Sequence, residues 1–378
     1  MLYEIFLVGD PQPHDLNDIE GIVTHALEGF GLKLRSDVGW QVAPAAVEPG
    51  EQLASVVVFF GAEPTPAIDL RVAIRRGTAV LPVVSTAMRA HAELPASLLQ
   101  VNALDYDRLG PERIASAILE ALGLLPQQRR VFVSYRRTEA RAAAVQLFDA
   151  LSAKVFDVFL DTYGVPPGQD FQSILWHRLC DSDVLVMLDT ETYFDSRWTA
   201  TEFGRALAKG LPILRVAWPD VAPSSRTATC SQLSIGPGDL DMATGGLDSA
   251  ALARITTQVE VLRSRSHAIR RLSMVSSIRE ALRRIGGELV SSGASGVVTG
   301  TLPSGDPVAF YPALGVPTSE TLQLAEQVAQ GTGIAVVFDH VGLQGEWLEH
   351  LEWLGNYVHS ARWMKLSDAA WDLAGWGS

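Results

Sequence analysis

Between positions 196 and 210 the chain reads SRWTATEFGRALAKG. On a helix, Trp198 and Glu202 lie four residues apart on one face, with Arg205 three residues further on. An aromatic ring one turn before a carboxylate can shelter a planar ligand while the acid meets its polar part. A guanidinium one turn beyond can keep that acid ionised. Phe203, Ala206, Leu207 and Gly210 are expected on the opposite, core-facing stripe. By spacing alone the pair also reads as a solvated Glu–Arg face beside a packing tryptophan, and both readings stand at this point.

Other polar groups follow short apolar runs. Ser134, Tyr135, Arg136 and Arg137 follow one, Asp161 and Tyr163 a second, and Asp189 to Tyr193 a third. If those runs are parallel strands, all these groups gather at the carboxyl edge of one sheet, where open α/β sheets bind ligands. The turn-rich segment DTYGVPPGQD, residues 161–170, can aim backbone amides at a ligand there. The chain contains no Walker A, HExxH or GxSxG pattern. Gly236-Pro237-Gly238 and Gly331-Thr332-Gly333 lack the strand–glycine–helix context of a dinucleotide fingerprint. The eight histidines show no ligand spacing, so no metal is expected, and His177 reads as a surface or boundary residue.

The elements that must carry these groups fall into three blocks, 1–127, 128–265 and 266–378. The first alternates apolar strands (5–8, 56–60, 80–84) with helical patterns (16–30, 67–76, 111–122), as parallel strands with crossover helices do. The second restarts the alternation with strands at 131–134, 155–160, 184–188 and 212–216, and a short one at 232–235. Its helices are expected near 140–151, 171–179, 198–209 and 250–262. The third is read as α+β: a basic helix at 269–285, a hairpin of 297–302 and 308–311, a helix after Pro317, a strand at 334–338 and a tryptophan-rich helical end. The first and second blocks share one local pattern. DLRVAIRRGTAVLPVV from Asp69 and EFGRALAKGLPILRVA from Glu202 each open on an acid and meet a glycine eight residues later, before a strand. A generic helix–glycine–strand unit explains this, and so does a diverged copy of the second block that lost its site.

The segments VFVSYRRTEARAAAVQLFDAL, VFLDTYGVPPGQDF, LVMLDTETYFDSRWTATEFGRAL and PILRV, in this order and spacing, resemble a Toll/interleukin-1 receptor (TIR) domain. The resemblance covers residues 129–264. The Trp-x-x-x-Glu helix is similar to that of the bacterial and plant TIR domains that cleave NAD+ in immunity. It implies a flavodoxin-like parallel-sheet domain in the middle of the chain, beside a TIR-like or flavodoxin-like first block and a smaller α+β third block. It implies Glu202 as the catalytic glutamate and Trp198 as the tryptophan beside it. Tyr135, Arg136, Asp161, Gly168, Phe171 and Ser196 correspond to residues that bind substrate, those from 161 to 171 lying in the loop that also mediates TIR–TIR contacts.

The implied reaction needs few groups. Nicotinamide leaves NAD+ as a neutral molecule, so its departure needs no general acid. The ribose passes through an oxocarbenium-like state, which a nearby carboxylate stabilises. NAD+ is then the substrate and no cofactor is expected. Hydrolysis to nicotinamide and ADP-ribose, in a gated anti-phage effector, is the expected activity. A cyclase making a cyclic ADP-ribose signal and a non-enzymatic TIR scaffold are the alternatives. Self-association through the TIR domain and an unidentified activating ligand or protein are the expected partners.

Composition bounds the rest. A formal net charge of -13 removes any bulk-charge case for nucleic-acid binding. The basic stretch Arg263–Arg284 has two accounts: an intramolecular or solvated face, or a local site for a nucleotide or nucleic acid. Two cysteines, Cys180 and Cys230, exclude a disulfide framework and suit a reducing cytosol. No apolar run reaches the ~20 residues of a membrane span, and the N-terminus lacks a signal-peptide pattern, so a cytoplasmic protein is expected. Five of nine tryptophans fall after residue 346. Trp347 and Trp353 read as packing, or as a stacking and docking surface.

Overall fold

The computed structural model describes residues 3–50, 53–125, 127–160, 171–241, 243–292, 296–329 and 333–376. The chain divides into two compact units: residues 1–127 with 292–296, and residues 128–291 with 297–378.

In the first unit the strands are β1 (Tyr3–Gly9), β2 (Val38–Val42), β3 (Ala54–Phe60), β4 (Ala79–Val84) and β5 (Leu104–Asp105). They form one parallel sheet in the order β2-β1-β3-β4-β5. The helices are α1 (Pro13–Gly29), α2 (Arg71–Arg75), α3 (Ala90–Glu93) and α4 (Tyr106–Ala121). Strand alternation splits the core. Ile5 and Leu7 pack against Ile19, Val23, Ile114 and Ile118 of α1 and α4. Phe6 and Val8 pack on the other face with Val57, Phe59 and Leu70. Helix α2 is shorter than the helical pattern of residues 67–76. Asp69 Oδ1 accepts a 3.0 Å bond from the Arg71 N–H, a local turn that begins the helix only at 71.

The second unit opens with β6 (Arg130–Ser134), α5 (Arg137–Ala153), β7 (Asp157–Leu160), α6 (Phe171–Cys180), β8 (Val184–Asp189) and α7 (Arg197–Ala208). It continues through β9 (Ile213–Ala217) and β10 (Ser231–Ser234). The sheet order is β10-β9-β8-β6-β7, all parallel. Counted along the chain, each of the two sheets has the order 2-1-3-4-5, that of a flavodoxin-like sheet. Val131 and Val133 face α5, with Ala144, Leu147 and Ile255. Phe132 faces the other way, with Leu185, Met187, Phe203 and Ala206, under α6 and α7.

A small antiparallel ribbon, β11 (Leu240–Asp241) and β12 (Gly246–Leu247), precedes α8 (Ser249–Ile285). Asp248 caps α8 by accepting from the Ala251 N–H at 2.6 Å, and Gly286 ends it at φ 85°. The helix expected to close the second block and the basic helix expected to open the third are therefore one element of 37 residues. Ile255 and Val259 of α8 belong to the core under the second unit's first sheet, and Ile278 and Leu282 to the next core. Its inward basic residues meet acids. Arg263 donates to Asp183 at 3.0 Å and His267 lies 2.8 Å from the same carboxylate. Arg270 donates to the Leu314 carbonyl at 2.5 Å. Arg265, Arg279, Arg283 and Arg284 are exposed. The intramolecular account thus holds for the inner half of the basic stretch.

The third sheet has the order β13 (Glu288–Ser292), β14 (Val298–Thr301), β15 (Pro307–Ala313), β16 (Ile334–Phe338), β17 (Ala361–Lys365). β14 and β15 are antiparallel, as the expected hairpin requires, while β15, β16 and β17 run parallel. Helices α9 (Ser319–Ala329), α10 (Gly345–Gly355) and α11 (Ala369–Ala374) complete it. The tryptophan-rich end is thus not wholly helical, since Trp363 lies in β17. Trp347 donates to the Pro317 carbonyl and packs, whereas Trp353 is 55% and Trp371 84% exposed. Among the described residues no helix is long and apolar enough to cross a membrane.

Candidate active site

Helix α7 presents Thr199, Glu202, Phe203 and Ala206 inward, an i, i+3, i+4, i+7 stripe. Glu202 therefore sits on the core-facing side and is only 9% exposed. Leu207, expected inward, is 42% exposed. Burying a carboxylate is costly unless it is hydrogen-bonded, and β6 supplies the bond. Ser134 alternates to the same face as Phe132, and its Oγ–H donates to Glu202 Oε2 at 2.6 Å. The Tyr193 hydroxyl lies 2.7 Å from the same Ser134 Oγ. Tyr193 is fully buried, and burial followed by the Glu202 charge pushes its phenol well above the ordinary range.

On its outer side Glu202 lines a cavity of about 130 Å³ between α6 and α7. Leu175, Trp176 and Leu179 form one wall, and Arg197, Trp198, Thr201 and Arg205 share the other with Glu202. Pockets for drug-sized ligands measure roughly 300–1,000 Å³, so the described walls enclose about one ring. The Arg205 guanidinium lies 3.2 Å over the Trp176 ring, a cation–π contact. Burial lowers the Arg205 pKa, against the opposing charges of Cys180 and Glu202. Trp198 lines the cavity and is 51% exposed.

The structure gathers only part of the expected set. Glu202 and Trp198 share the cavity. Ser196 is the N-cap position of α7, immediately before the cavity-lining Arg197, and its carbonyl accepts from Thr199 and Ala200. Tyr135 points away. One residue beyond Ser134, it alternates to the opposite face and packs in the α5 core. Arg136 donates to the Thr192 carbonyl at 2.6 Å and lies near Glu139 and Asp195, outside the cavity lining. Asp161 and Gly168 lie outside the described residues, as does the side chain of Phe171.

Trp176 gained importance only here, and Ser134 and Tyr193, already expected at the sheet edge, gained Glu202 as their destination. Trp176 stands beside the apolar positions 175 and 179 of α6, and a large ring off the core stripe is the sequence signal for it. Ser134 could be found from strand alternation once β6 was placed. Tyr193 was expected at the carboxyl edge of the sheet, but its burial was not legible, because the turn that buries it is not periodic.

A parallel 2-1-3-4-5 sheet with a buried acid on the helix after its third strand defines a flavodoxin-like α/β domain that carries a carboxylate at a cavity wall. Residues 131–241 match the family model described as TIR domain, so this segment of the second unit is a TIR domain. Comparison with curated proteins returned no match.

Proposed function

We propose that this TIR domain is an NAD+ nucleosidase, which cleaves the nicotinamide–ribose bond to give nicotinamide and ADP-ribose. The observation that carries this reading is the buried Glu202 carboxylate on the wall of a cavity that also holds two tryptophans and two arginines. In this reading the ring-sized cavity takes the nicotinamide end. Glu202 stabilises the positive charge that develops on the ribose as the neutral base departs, and water completes the reaction. Arg197 and Arg205 match the diphosphate in charge, and Trp198 offers a face for stacking. Asp161, Gly168, Phe171, Ser196 and Arg136 remain proposed substrate contacts on the family resemblance, whereas Tyr135, packed in the α5 core, is not carried forward.

NAD+ is the substrate and no cofactor is invoked. Unrestrained cleavage would drain a cell of dinucleotide, so we place a gate on the enzyme. Self-association of TIR domains, triggered by a ligand or protein acting on the flanking blocks, is the proposed gate. A cytosolic immune-effector role is proposed on the family alone.

The test is incubation of the concentrated full chain with NAD+, followed by product identification by mass. Nicotinamide and ADP-ribose should appear, and Glu202→Gln should slow their release by at least about 100-fold. Full activity in Glu202→Gln would sink the mechanism. A cyclic product, lighter than ADP-ribose by one water, would replace the nucleosidase by a cyclase.

A further inference from the structure

The bond from Ser134 to Glu202 settles the direction of the next one. An ionised carboxylate only accepts, so the single Ser134 hydroxyl proton is committed to Glu202 Oε2 at 2.6 Å. The 2.7 Å contact between Ser134 and Tyr193 must then have the phenol as donor. Three side chains from three places, the Tyr193 turn, β6 and α7, form one directed chain of hydroxyls ending on the acid. All three are buried, so bulk water does not compete for these bonds.

We propose that Ser134 and Tyr193 are positioning residues that hold Glu202 ionised and in one rotamer at the cavity wall. The proposal rests on the reading of Glu202 as the reactive carboxylate, and it assigns these two hydroxyls a part in that reaction. A bond donated to the charged form of an acid favours that form, and a second hydroxyl polarises the first. Among the described residues, Arg205 and Arg197 on α7 and Trp176 on α6 line the cavity with this acid, and the Cys180 thiol acts on Arg205. Asp189 and Cys230 face Tyr193. Arg205 is turned onto Trp176, and the hydroxyl chain supports the carboxylate from its inner side.

The test is a pH titration of the Glu202 carboxyl carbon by 13C NMR in the full chain, with the resonance assigned by its loss in Glu202→Gln. Ser134→Ala should raise the titration midpoint by about one pH unit. Tyr193→Phe should raise it by a smaller amount, and Ser134→Thr should restore it to near the parent value. The acid limb of the pH profile for NAD+ cleavage should move with the midpoint, with the rate recovering at higher pH. An unmoved midpoint in Ser134→Ala overturns the proposal. If that variant does not fold, Tyr193→Phe removes one oxygen and no ring volume, and an unmoved midpoint there overturns it equally. A shifted midpoint with no NAD+ cleavage in any variant, the parent included, sustains the hydroxyl chain and removes the nucleosidase reading alone.

Discussion

The Lys209 ammonium lies 2.7 Å from the Asp339 carboxylate, joining the end of the helix that carries Glu202 to the loop after β16. Lys209 also reaches the Asp339 carbonyl at 3.3 Å. The neighbouring helix α6 is held from the same side. Asp181, just beyond it, accepts from the Val316 N–H at 3.0 Å, and Gly342 packs on Trp176 and Cys180. Both walls of the Glu202 cavity are thus buttressed by the third sheet's loops.

The Lys209–Asp339 pair should be a measurable but small link. Asp339 is partly exposed, so solvent weakens the attraction. A double-mutant cycle with Lys209→Met and Asp339→Asn should give a coupling of about 0.5–1 kcal/mol in urea unfolding. A coupling of zero would show that the pair does not tie α7 to the third sheet.

Gly342 should tolerate no side chain. Its φ is 88°, and an added Cβ would lie 2.6 Å from Cys180 Sγ and 2.9 Å from Trp176 Cε3. Gly342→Val should therefore destabilise the chain by about 1–3 kcal/mol and change Trp176 fluorescence. Gly345→Ala, where nothing lies within 4 Å of the new carbon, is the control and should be near neutral. Equal stability for the two variants would contradict the packing.

Acid should loosen the junction between α8 and the start of β8. Burial disfavours a charged His267 and lowers its pKa, against the pull of Asp183. Burial would raise Asp183, but His267, Arg263 and the Arg130 N–H outweigh it and hold this carboxyl well below the usual range. In both cases the unfolded chain takes up protons first as pH falls. Stability should be fully present above the ordinary histidine value of 6.5. It should decline as pH drops through about 3.9, the ordinary aspartate value, toward the folded Asp183 value. Urea midpoints between about pH 7.5 and 4 check this, and a flat profile would refute it. Asp183→Asn, which removes the carboxylate opposite the buried Arg263, should cost about 3–5 kcal/mol at neutral pH.

Asp69 of the first unit should be silent in NAD+ cleavage. It corresponds in local pattern to Glu202, yet it lies before α2, exposed, and pairs with Arg71 at 2.7 Å. Arg71 holds its carboxyl below the usual range. Asp69→Ala should change the rate less than about two-fold, since surface changes away from a site are usually small. A loss comparable to that of Glu202→Gln would mean that the first unit also holds a working site.

Local pattern made the sheet strands of the first two blocks legible, because β1, β3, β6 and β8 are continuous apolar runs buried on both faces. It also made α7 and the Trp198–Glu202 pair legible, since a helix sets which residues lie one turn apart. Of the short or polar edge strands, β10 was expected at 232–235, and four others were not legible. β2, β5, β13 and β17 owe their strand state to a neighbouring strand and carry too little apolar pattern of their own. The continuity of α8 was hidden for a related reason. Its middle turn is polar and charged, and only Asp183, distant in sequence, makes burial of Arg263 and His267 acceptable.

The same division runs through the site. Residue order along one helix supplied Glu202, Trp198 and Arg205. Which face of that helix met the core depended on Ser134, which comes from a strand 68 positions away and gives the acid a buried partner. Sheet alternation then turned Tyr135 away and Ser134 inward, and packing between α6 and α7 brought Trp176 under Arg205. Chain periodicity specifies neighbours within a turn or a strand. Partners far apart in sequence are chosen by burial and by the need to satisfy each buried polar group, and those conditions exist only once the layers have packed.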